Sequence, residues 1–306
     1  MASPVSEPVF VRFELPNGMS IAAEAQGDPA SQPVLFLHGG GQTRHAWGGS
    51  AEALAKAGFY AICMDHRGHG QSGWARHDQY RLDHFVEDLR GVLAQLQERP
   101  ILVGASLGGI TALLAETGQR ESIAKAVILV DVTPRLETEG VDRIIAFMRG
   151  GTDGFASLEE AADSIARYLP HRERPKDLSG LAKNLRLMDD GRYYWHWDPA
   201  MLRTWERDKY TEDDDLELKE RLSKVRNLSI PTLLIRGRLS DIVSTDTANE
   251  FLQMVPHAEY VDLANAHHMV AGDRNDAFTD AILQFLLKHF SPALHTDDDR
   301  SKRISQ

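Results

Sequence analysis

Ile101-Leu102-Val103-Gly104-Ala105-Ser106-Leu107-Gly108 decides the fold of this chain, because it calls for a strand, a tight corner and a helix in immediate succession. Ile101-Leu102-Val103 is a short apolar run, and Ile110-Thr111-Ala112-Leu113-Leu114-Ala115, just past Gly109, has helical composition. A serine at such a junction, with glycines two positions either side, sits on a turn tight enough to force its backbone into a strained conformation. The glycines let strand and helix pass without clashing. The Ser106 hydroxyl is thereby exposed above a sheet, as in a nucleophile elbow.

Outward from this corner, short apolar runs recur. Residues 9–13 and 19–23 read as an opening antiparallel pair turned by Pro16-Asn17-Gly18. Residues 34–37, 60–64, 101–103, 126–130, 232–235 and 259–261 read as buried strands. Helical spacing occupies 51–57, 82–96, 110–117 and 277–289. The alternation implies an α/β fold, a mostly parallel eight-stranded sheet flanked by helices on both faces. It breaks at 133–227, where 144–148, 161–168 and 178–187 have helical periodicity and no convincing strand occurs. That stretch is expected to be a helical cap inserted between the sixth and seventh strands. Residues 1–132 and 228–295 then form the core domain, and the polar 296–306 a flexible tail.

A length of 306 residues fits one large domain with an insertion, and the net charge of -11 disfavours a nucleic-acid surface. The single cysteine, Cys63, excludes an internal disulfide and lies in an apolar run, as a buried inert thiol would. The N-terminus has no secretory pattern, and no apolar stretch reaches the length of a membrane span. These features imply a cytoplasmic protein with neither membrane nor nucleic acid as partner. They leave the oligomeric state open.

A serine hydroxyl is a poor nucleophile unless a base contacts it and an acid orients that base. Both candidates follow Ser106, each just beyond a strand end: Asp241 after 232–235, and the pair His267-His268 after 259–261. Asp131, ending 126–130, is a rival acid or a pocket residue. Neighbouring side chains point different ways, so spacing alone leaves the choice of histidine open. The developing oxyanion needs donors. The backbone N–H of Leu107 is one, and the bare loop His38-Gly39-Gly40-Gly41-Gln42 offers the other at Gly40. No Gly-Lys-Ser/Thr follows that loop, which excludes a phosphate cradle. Asp65-His66-Arg67-Gly68-His69-Gly70-Gln71-Ser72 is a glycine-rich turn without a third or fourth metal ligand, and its Arg67 is expected to brace neighbouring loops. Tyr193-Tyr194-Trp195-His196-Trp197, with Trp205, could form an apolar pocket over Ser106 or pack the cap onto the core.

Together these stretches resemble the α/β-hydrolase family over nearly the whole chain. The resemblance rests on His38-Gly39-Gly40-Gly41, on the Asp65 to Ser72 turn, on Gly104-Ala105-Ser106-Leu107-Gly108-Gly109, on Asp241, and on His268-Met269-Val270-Ala271-Gly272-Asp273. It implies that His268 is the base, and that His267, where relatives often carry glycine, adds a second imidazole to the pocket rim. Epoxide hydrolases and haloalkane dehalogenases of similar build carry aspartate at the elbow, where this chain has Ser106. The implied activity is a serine hydrolase that cleaves carboxylic esters, thioesters or lactones. Its triad would be Ser106, Asp241 and His268, and its oxyanion hole Gly40 and Leu107. Gly39, Gly41, Gln42, Asp131, Trp195, Trp197, His267 and Met269 would line the substrate pocket. Carbon–carbon bond hydrolysis, perhydrolysis, and ligand binding with negligible turnover are the alternatives. The implied partner is a small ester-like molecule, and the reading needs no cofactor and no metal.

Overall fold

The computed structural model describes residues 7–76, 79–170, 174, 176–207, 212–264, 266 and 276–290. Its main sheet holds eight strands. In chain order they are β1 (Val9–Glu14), β2 (Ser20–Gln26), β3 (Pro33–Leu37), β4 (Tyr60–Met64), β5 (Ile101–Ala105) and β6 (Ala126–Val130), then β9 (Thr232–Gly237) and β10 (Glu259–Leu263) after the short pair β7 (Leu185–Leu187) and β8 (Tyr193–Trp195). The spatial order is β1-β2-β4-β3-β5-β6-β9-β10, and only the β1/β2 and β2/β4 pairings are antiparallel. All eight strands expected from the sequence are present.

Strands β3 to β6 are apolar runs, and β9 is buried along its whole length, because both faces of the sheet are covered. Leu35, Leu37, Leu102, Val127, Leu129 and Leu234 face one side, under α2 (Leu82–Leu93), α3 (Leu107–Thr117) and α9 (Thr245–Met254). Val34, Phe36, Val103, Ile128, Val130 and Ile235 face the other, under α1 (Gly48–Lys56) and α10 (Asp276–His289). Cys63 lies in this second layer, where burial pushes its thiol well above the ordinary range. Among the described residues no helix is long and apolar enough to cross a membrane.

Register positions the site. Ala105 pairs with Val130, and Val130 with Ile235, so the residues that leave β5, β6 and β9 emerge together at one edge of the sheet.

Between β6 and β9 lie α4 (Thr138–Gly150), α5 (Leu158–Tyr168), α6 (Ser179–Ala182), α7 (Ala200–Arg207) and α8 (Glu212–Ser223). The sequence reading of 178–187 as helix, and of the whole stretch as strandless, is corrected here. Only the single turn α6 is helical, and Leu185–Leu187 pairs antiparallel with Tyr193–Trp195. The hairpin forms because Gly191 takes φ 79, which a turn needs and other residues resist. Its Asp190 accepts from the Arg192 N–H and from the Tyr194 hydroxyl.

The Asp65 to Ser72 turn ties this segment to the core. The Gly70 N–H donates to the His196 carbonyl at 2.6 Å, and the Asp198 N–H donates to that of Gly68 at 2.7 Å. Arg67 braces the turn as expected. Its Nε and Nη2 each reach an Asp88 carboxylate oxygen on α2 at 2.6 Å, while Nη1 donates to the Gln79 carbonyl. The pair is 3% and 2% exposed. Removing one partner of such a pair strands a buried charge, so Arg67→Ala is expected to cost about 3–5 kcal/mol in urea unfolding. The Arg67→Ala/Asp88→Ala double variant should lose less than the two single losses summed.

Candidate active site

Ser106 is the cap of α3, at φ 46 and ψ -118. Ser106 and Asp131 (φ 50) are the two non-glycine residues with positive φ among the described residues, and they end neighbouring strands. The corner tolerates this strain because strand and helix nearly touch. A Cβ on Gly104 would lie 2.6 Å from the backbone of Gly108 and Gly109. The Ser106 carbonyl accepts from the Gly109 and Ile110 amides, and the Leu107 N–H, at the helix start, has no intrahelical partner.

The glycine loop after β3 lies against the serine: a Cβ built on Gly39 would stand 3.4 Å from Ser106 Cβ. The Gly39 N–H donates to Gln42 Oε1 at 2.9 Å, and the Gly41 N–H donates to His69 Nε2 at 3.1 Å. With its two neighbours thus engaged, Gly40 holds the loop amide that has no partner among the described residues.

Two buried histidines fix this loop. His38 Nδ1 donates to the Gly39 carbonyl while its Nε2 accepts from the His66 N–H. His69 Nδ1 donates to the Arg67 carbonyl while its Nε2 accepts from Gly41. Both imidazoles must therefore be neutral and protonated on Nδ1. Burial drives the same way, lowering His38 to about 4 and His69 to about 3. The rings of His38 and His66 pack edge to face at 4.7 Å, and burial pushes His66 well below its ordinary value. Sequence reasoning assigned His69 only to a bracing turn. Its contact with Gly41 spans 28 residues and carries no local signal.

The two candidate acids stand in different surroundings. Asp131 is fully buried, accepting from the Gly237 N–H at 3.1 Å and from the Ser240 hydroxyl at 2.6 Å. Asp241 is 30% exposed and pairs with Arg143 of α4 at 2.8 Å. His267, His268 and Met269 lie outside the described residues.

A cavity of about 490 Å³ opens over Ser106. Its floor is Gly39, Gly40, Gly41, Gln42, Ser106 and Leu107, and Trp195 and Trp197 enter its wall. The larger share of the wall comes from residues the sequence reading did not single out for the pocket: Ile144, Ile145, Phe147 and Met148 of α4, Ile165 and Tyr168 of α5, and Leu218 and Leu222 of α8. Phe147 and Tyr168 stack at 4.5 Å. Trp205, over Gly40, anchors its Nε1 on the Tyr80 carbonyl. Trp195 and Trp197 also belong to the cluster that packs this segment against Tyr80 and Phe85, so the same rings serve both roles. Among the described lining residues none is charged.

A family model described as the alpha/beta hydrolase fold matches residues 32–274. Esterase Rv0045c of Mycobacterium tuberculosis is 29% identical over 256 residues, covering 81% of this chain and 80% of its own. The sn-1-specific diacylglycerol lipase ABHD11 of Mus musculus is 27% identical, covering 85% of this chain and 82% of its own. Among solved structures, an alpha/beta hydrolase from Novosphingobium aromaticivorans superposes with a TM-score of 0.76 at 26% identity, over 92% of this chain and 98% of that one.

Proposed function

We propose, from the premise that this chain belongs to the α/β-hydrolase family, that it hydrolyses neutral carboxylic esters through an acyl-enzyme on Ser106. The observation that carries the reading is the strained Ser106 on the floor of an apolar cavity, with the amides of Gly40 and Leu107 beside it. His268 takes the Ser106 proton as the hydroxyl attacks the ester carbonyl, and the two amides hold the oxyanion. The same imidazole then protonates the leaving alcohol and activates the water that releases the acid. A strand-end carboxylate orients it. Residues 133–227 act as the cap over a core of 1–132 and 228–295.

The wall sets the substrate. A volume near 490 Å³ is that of a small-molecule site, and apolar walls without a charge favour a neutral acyl or aryl group over one bearing a carboxylate or phosphate. Esterase names among the relatives agree with this reading.

On p-nitrophenyl esters of increasing acyl length, kcat/KM is expected to rise about three- to fourfold per added methylene until the cavity is full. A terminal carboxylate on the acyl chain should cancel the gain. Rates that ignore chain length, or that favour the charged ester, would overturn the proposal. Met148→Trp, which fills the wall beside Gly41, should move the optimum to shorter chains.

A further inference from the structure

We infer that the carboxylate orienting the catalytic imidazole is Asp131, and that Asp241 instead ties cap helix α4 to the core. The assignment rests on the serine-hydrolase reading above and on four features of the fold.

Asp131 leaves β6 beside Ser106, which leaves β5: the last residues of these strands, Ala105 and Val130, are paired in register. Both positions hold backbone strain, with φ 50 at Asp131 and 46 at Ser106. Strain of this kind in a non-glycine residue persists only where the surroundings impose it, and it gathers at working sites.

Asp131 also faces the segment that leads into the histidines. Its oxygens hold the Gly237 N–H and the Ser240 hydroxyl. The turn they fix is the one on which the chain after β10 lies: the Leu239 N–H donates to the Ala266 carbonyl at 3.0 Å, and the Arg238 N–H to that of Leu263 at 2.9 Å. Ala266 immediately precedes His267 and His268. A buried carboxylate at a strand end, fixed against the turn that meets the chain carrying the histidines, is the form an orienting acid takes.

Asp241 faces elsewhere. Its carboxylate is partly exposed and pairs with Arg143 on α4. Its carbonyl packs against Gly140 of the same helix so closely that no Cβ would fit, and the Glu137 N–H donates to the Ile242 carbonyl. Burial raises the Tyr168 hydroxyl of α5 above its ordinary value, and the Asp241 charge acts in the same direction. These contacts place it at the seam between core and cap. An acid with a guanidinium partner already in place is poorly suited to hold an imidazole.

The test compares Asp131→Asn, Asp241→Asn and Arg143→Ala on p-nitrophenyl butyrate, with thermal melting and fluorophosphonate labelling of each protein. Asp131→Asn is expected to lose about 10³–10⁴-fold in kcat with KM within a few-fold. The acidic limb of its kcat/KM profile should move to lower pH, because the imidazolium loses its counter-ion. Asp241→Asn should lose less than tenfold in kcat and match Arg143→Ala in melting temperature and KM. If Asp131→Asn does not fold, Asp241→Asn still decides: kcat retained supports the assignment, and a loss of 10³-fold or more at unchanged melting temperature overturns it. Wild-type protein that fails to label removes the serine-hydrolase reading and this assignment together. Labelling with the loss falling on Asp241→Asn overturns the assignment alone.

Discussion

Replacing Ser106 with alanine is expected to lower kcat on an activated ester by about 10⁶-fold and to abolish fluorophosphonate labelling, with no loss of thermal stability. On the proposed acyl-enzyme route, the rate effect is that of removing the one atom that would form the covalent bond. What survives would come from the amides of Gly40 and Leu107 and from binding in the cavity. Stability should hold because the Ser106 side chain makes no hydrogen bond among the described residues, and the backbone bonds from Gly109 and Ile110 to its carbonyl are untouched. The φ of 46 supplies a second readout. Ser106→Gly should be as inactive as alanine yet more stable, by roughly 1 kcal/mol, because glycine adopts this conformation without strain. An alanine variant that keeps a tenth of wild-type kcat would show that another residue is the nucleophile. A glycine variant no more stable than alanine would show that the corner is unstrained.

The sheet was legible because its strands are buried on both faces, which leaves runs such as Ala126–Val130 with no polar residue to blur them. The elbow was legible because close packing of strand on helix requires glycine at fixed spacing from Ser106. The pair β7 and β8 was not, since three-residue strands are too short to show an alternating pattern and the signal lay in the turn at Asp190-Gly191. Periodicity likewise found α4 without showing that Ile144, Ile145 and Met148 face the cavity. Asp131 and Asp241 look alike in sequence because both follow a strand. Only the contacts with Ser240 and with Arg143 tell a buried carboxylate from one at a seam. His69 escaped for the same reason: its bond to Gly41 exists only once two distant turns meet.

Lowering the pH is expected to unfold the protein steeply, and the cause lies beneath the glycine loop after β3. His38, His66 and His69 are buried in mutual contact, and desolvation lowers His38 to about 4, His69 to about 3 and His66 well below its ordinary value. In the unfolded chain each titrates near 6.5. A histidine whose native pKa is depressed contributes stability that is fully present above about pH 6.5. That stability drains as the pH falls below this point, because the unfolded chain takes up protons that the native state refuses. The loss continues until the native pKa values are reached, so the window runs from about pH 6.5 down to about pH 3–4. Each proton difference contributes a slope of about 1.4 kcal/mol per pH unit. Three such groups approach 4 kcal/mol per unit between about pH 5.5 and 4.5. His45, His84 and His196 shift in the same direction. Glu116, whose buried carboxyl is raised, opposes them over a narrow range near its own pKa. Against a total of about 5–15 kcal/mol for a typical domain, such a slope exhausts the native state between about pH 5 and 4. The shared cause also has a functional side, because a protonated His69 cannot accept the Gly41 N–H that holds the loop. Urea unfolding at pH 7, 6, 5.5 and 5 measures the slope directly. His69→Gln should reduce it by one proton's worth while lowering stability at pH 7. A free energy of unfolding that stays flat from pH 7 to 5 would mean that the histidines take up their protons in the native state too.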